Sequence, residues 1–187
     1  MKINFKYSMH YDEMLSSMKG EELSSSQNVI AKTYIKELNG FWEKENERVV
    51  NAIEKASGLR FKKDVDCYVV SDMTFEAISH PFTLKMCLDF KRLKGILIHE
   101  LLHILFVQND KRILRAVNKL NGDRDYKIHF PVLLCERKVL ERLNGNFKVE
   151  KRVEDLDYIW RDVNKIYHEF KNYKMGVVDF ILENAAC

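Results

Sequence analysis

Ile96-Leu-Ile-His99-Glu100-Leu-Leu-His103-Ile-Leu-Phe-Val107 is the stretch on which the reading of this chain turns. Its only polar side chains are His99, Glu100 and His103; the other nine are aliphatic or aromatic. Such a run reads as a helix buried on nearly every side. Burying a polar group without a partner costs on the order of 2–7 kcal/mol, so three of them in one apolar segment call for a common partner. A metal ion answers that need. At 3.6 residues per turn, His99 and His103 point the same way, about 6 Å apart along the axis. Both imidazoles can then reach one tetrahedral zinc at roughly 2.0–2.1 Å. Glu100 is rotated about 100° from His99, too far round to ligate the same ion easily. It is well placed to act as general base on a water in the open coordination position. The spacing describes metal-assisted hydrolysis.

A catalytic zinc keeps three protein ligands, so a third must come from elsewhere. The sequence expects it from a helix opened by Pro131 in its first turn and running to Leu143. There Leu133, Glu136, Leu140 and Leu143 fall on one stripe, and a carboxylate in an apolar stripe is the same anomaly as before. Glu136 is therefore the expected third ligand. His129 is the rival: it could ligate in its place, stabilise an oxyanion beside the open position, or simply cap the helix entrance. Tyr126, in the loop expected at 123–126, is a second possible oxyanion donor. His10, His80 and His168 show no partner pattern.

The His99-Glu100-Leu-Leu-His103 motif resembles that of the zincin metallopeptidases. With Glu136 on a later helix, the chain is similar to their gluzincin branch. That resemblance covers about residues 66–145. It implies a small sheet ahead of the active-site helix, an edge strand that binds an extended peptide, a Zn²⁺ cofactor and a peptide or protein substrate. Residues 82–88 occupy the edge strand's place in the order. Two departures stand out. Gluzincins often carry an acid a few residues after the ligand glutamate, whereas here Arg137, Lys138, Val139 and Leu140 follow, with Glu141 a weak substitute. The metzincin signature, with a further Gly and His soon after the second His, is absent.

Working outward, residues 2–7 and 66–71 read as strands and 82–88 as an alternating, half-exposed one. Helical patterns are expected at 27–56 (broken near Asn39-Gly40), 90–107, 111–120, 131–143 and 155–171, and in the tail at 177–182. The sum is an α+β fold: a zincin-like domain spanning 1–187, with about three strands on a helical majority. An N-terminal helical region at 24–57 and a C-terminal extension at 155–187 flank its core.

The 187 residues carry a net charge of only +3, with basic and acidic residues interspersed, which argues against nucleic acid as a partner. No stretch approaches the roughly 20 apolar residues of a membrane span, and no signal peptide is evident. Cys67, Cys87, Cys135 and Cys187 are too far apart for a disulfide framework, which suits a reduced, cytoplasmic setting. Oligomeric state is not encoded legibly. Two other classes compete. A helical di-iron protein needs a second Glu-x-x-His, which the chain lacks. A catalytically silent zincin-fold binding module has no use for Glu100.

Overall fold

The computed structural model describes residues 1–24, 26–87, 89–144 and 156–184. The expectations at Leu88, Gly145 and the first residue of the 155–171 helix lie outside them. The fold is α+β, with seven helices and a four-stranded mixed sheet among the described residues. The chain divides into two compact units, Met1–Glu47 with Lys62–Glu100, and Arg48–Phe61 with Leu101–Cys187.

The first unit holds the sheet. Strands β1 (Ile3–Tyr7), β2 (Val65–Val70) and β4 (Phe82–Lys85) run parallel, and β3 (Ala77–Ser79) pairs antiparallel with β4, in the order β1-β2-β4-β3. The alternation of β1 is visible as burial of Ile3 and Phe5 between exposed Asn4 and Lys6. One expectation is corrected here. Residues 82–85 do not form an edge strand; β4 sits inside the sheet, with Phe82, Thr83 and Leu84 all buried, and the edges are β1 and β3. Thr83 mimics an exposed face in the sequence pattern. Its hydroxyl is instead satisfied internally, donating to the Pro81 carbonyl and lying 3.2 Å from the Tyr11 hydroxyl.

Helix α1 (Met9–Met18) follows β1 and is capped by the Ser8 hydroxyl. It has little apolar periodicity, and what anchors it is polar. Buried Asp12 accepts from both the backbone N–H and the hydroxyl of Ser71, each at 2.9 Å. Lys19, just past the helix, pairs with Asp72, which also takes Lys85. These two ammonium groups hold the Asp72 carboxyl down at about 2.

Helix α2 (Gln27–Ser57) runs unbroken through Asn39-Gly40. Ala31, Tyr34, Leu38 and Trp42 are buried at spacings of three and four, and that stripe spans the glycine. A helical Gly costs only about 1 kcal/mol, less than the stripe returns. Asn39 does not turn the chain; its amide donates to the Ile35 carbonyl at 2.9 Å. Phe90 at the start of α3 (Phe90–Gln108) stacks on Tyr34 and Phe41, with centroids 6.0 and 5.2 Å away.

The second unit is helical: the end of α2, the rest of α3, α4 (Asp110–Val117), α5 (Arg124–Asn144), α6 (Asp157–Asn172) and α7 (Val177–Asn184). Leu101, Leu102, Leu105, Leu134, Leu140 and Phe170 are among its most completely buried side chains. Lys138 donates to the carbonyls of Phe170 and Tyr173 at 3.1 and 2.9 Å, closing the C-terminal end of α6. Arg112 grips Asp179 with one guanidinium nitrogen and the Gly58 carbonyl with another.

The turn after α2 depends on two glycines. Gly58 has φ +73°, and a Cβ on Gly176 would lie 2.1 Å from the Gly58 nitrogen and 2.2 Å from the Ser57 carbonyl. Since both obstacles are backbone, Gly176→Ala is expected to lower stability by at least about 2 kcal/mol. Gly40→Ala, whose Cβ would meet nothing within 4 Å, is expected to raise it by roughly 0.5–1 kcal/mol. Denaturant midpoints of the two variants check the pair.

Candidate metal centre

Helix α3 is covered almost all round. Leu93, Ile96, Leu97, Ile98, Leu101, Leu102, Ile104, Leu105 and Phe106 are buried. Between Ile96 and Phe106 the partly exposed residues are His99, Glu100 and His103. They fall within one sector of about 100°, so the motif occupies the face where the helix's cover opens.

A third imidazole arrives there from α5. The ligand atoms of His99, His103 and His129 all lie within 4.8 Å of one another. The rings of His103 and His129 stand edge to face, with centroids 5.2 Å apart and planes at 83°. Three donors on a tetrahedral ion at roughly 2.0–2.1 Å would stand about 3.4 Å apart, a closure that small side-chain rotations supply. The group could hold a metal ion. Its donor chemistry suits one: neutral imidazoles are borderline ligands for divalent transition metals.

The His129 ring is already oriented. Its Nδ1 lies 3.0 Å from the Asp125 carbonyl oxygen. A carbonyl can only accept, so Nδ1 is the donor in this contact, and in the neutral ring Nε2 would be the nitrogen to ligate an ion. This is the arrangement in which a ligating histidine is held by an outer hydrogen bond.

His129 is within reach because α5 begins earlier than the sequence indicated. The expected start at Pro131 is corrected to Arg124, and Pro131 lies inside the helix. Asp123 nucleates the helix ahead of the proline: its carboxylate accepts from the Tyr126 N–H at 2.7 Å and its carbonyl from Lys127 N–H at 3.1 Å. The sequence signal for this start is Asp123 as an N-cap three residues before Tyr126, which the helix-opening signature of Pro131 masks. Residues 124–126, expected in a loop, form the first turn.

Glu136 is buried to 1% exposure on α5 and is not a member of the three-residue group. His129 and Glu136 share one stripe, since seven residues turn the helix through nearly two full turns, but stand about 10 Å apart along the axis. Tyr126 is turned elsewhere: its hydroxyl donates to Asp162, its ring stacks on Phe130, and burial beside that carboxylate pushes the phenol up to about 12. His10 lies on Glu13, and His168 on the Lys165 carbonyl. Burial raises the Cys67 and Cys135 thiols, Cys67 further by the charge of Glu100, which keeps both protonated and inert.

Compared with protein-family models, curated proteins and solved structures, the chain matches none of them. Among the described residues no helix is long and apolar enough to cross a membrane.

Proposed function

We propose that the chain is a zinc-dependent hydrolase acting on peptide bonds, with His99, His103 and His129 holding the ion and Glu100 as general base. The observation that carries this reading is the convergence of three imidazoles within 4.8 Å on the helix that bears the motif. A bound zinc would supply Lewis acidity, lowering the pKa of water toward neutrality and polarising a carbonyl. Three protein ligands leave the fourth position for water or substrate, the pattern of catalytic rather than structural sites.

Glu100 does the proton work. One helical step from His99, its carboxylate takes the proton of the attacking water and returns it to the departing amine, a role worth about 10²–10⁴-fold in rate. The choice of peptide as substrate rests on the zincin-like motif, and a peptide or protein is the partner it implies. The test begins with metal. The purified chain is expected to carry about one zinc, removable by a chelator together with hydrolysis of a broad peptide library and restored by zinc. Failure of the chain to bind any divalent ion on titration overturns the reading. A fully loaded chain that cleaves nothing overturns it in favour of a catalytically silent binding module.

A further inference from the structure

Glu136 is the one buried carboxylate of the second unit among the described residues, and it lies on the helix that supplies His129. Resting on the metal-centre reading above, we propose that Glu136 is a positioning residue: it accepts a hydrogen bond from the imidazole N–H of His103, which lies in the same unit.

The argument is one of reach. Helical side chains lean toward the N-terminus of their helix. Glu136 and His129 lean the same way, so the carboxylate stays about 10 Å along the axis from the His129 ring, too far to share an ion with it. An imidazole with one nitrogen on the ion and the other donating to the carboxylate spans roughly 7 Å from ion to oxygen, which bridges most of that separation. His129 is not that imidazole, because its Nδ1 proton already goes to the Asp125 carbonyl. His103 remains, its ring centroid 5.2 Å from that of His129. A carboxylate in this place fixes the ring's tautomer and raises its basicity as a ligand. It also gives a physical reason for a carboxylate within an otherwise apolar stripe formed by Leu133 and Leu140.

The experiment is zinc and cobalt titration of the full chain and its Glu136→Gln and Glu136→Ala variants, with X-ray absorption counting imidazoles on the ion. Wild type is expected to bind one ion through three imidazoles. Glu136→Gln, which still accepts an N–H bond, should bind it about 10-fold more weakly, and Glu136→Ala up to about 100-fold, both with three imidazoles retained. Thermal melts of the metal-free variants separate this from a general loss of packing: equal affinities of the variants and wild type, however the melts move, overturn the proposal. So does a spectrum with two imidazoles and a carboxylate in wild type. A wild-type chain that binds no ion would instead sink the metal centre itself.

Discussion

Replacing Glu100 by Gln is expected to abolish peptide hydrolysis, lowering kcat by about 10²–10⁴-fold, while the protein keeps its zinc. The amide has nearly the shape of the carboxylate, so the packing of α3 is undisturbed. It cannot take up a proton at neutral pH, so the water loses its base. The three imidazoles are untouched, and metal content should remain near one ion per chain. The pairing of outcomes makes the test sharp. A variant that loses zinc would mean Glu100 is part of the ligand set. A variant that retains zinc and full activity would remove Glu100 from the mechanism. Steady-state kinetics with metal analysis on the same preparation distinguishes the three.

The second large effect is expected at His129. Structural zinc sites provide about 10–16 kcal/mol through four ligands, so one ligand is worth about 2.5–4 kcal/mol, or roughly 10²–10³-fold in affinity. His129→Ala should therefore strip zinc at micromolar concentrations that saturate the wild type, and hydrolysis should go with it. The loss should exceed that of either Glu136 variant. The reverse order, with Glu136→Ala losing the ion and His129→Ala keeping it, would return the third-ligand role to the glutamate. His129 lies on the partly exposed first turns of α5, beside exposed Ile128. Its truncation should accordingly cost the metal-free protein only about 1 kcal/mol, from the lost Asp125 bond and the ring contact with His103. Competition with a chromophoric chelator measures the affinities directly.

The composition of the site separates what one-dimensional pattern can carry from what it cannot. His99, Glu100 and His103 were legible because their relation is set by the pitch of a single helix, and an apolar helix makes every polar residue in it conspicuous. The helix appears at 90–108, almost where the pattern put it. Likewise β1 and β2 could be read from alternation and from a short apolar run. By contrast β3, only three residues long and partly exposed throughout, has no periodicity to read. Helix α1 offers no apolar stripe to read: its buried residues are Asp12 and Ser16, and Asp12 anchors it on Ser71.

The apolar spacing of this chain thus determined an α+β fold and two imidazoles on one face of a buried helix. Which residue joins them was a tertiary decision. Both candidates, His129 and Glu136, lie on the same stripe of α5, so periodicity ranks them equally and burial favoured the glutamate. The choice fell to the level at which α5 carries each residue along its axis and to the Asp123 cap that starts the helix before Pro131. Sequence spacing fixes angles within one helix; only packing fixes heights between two.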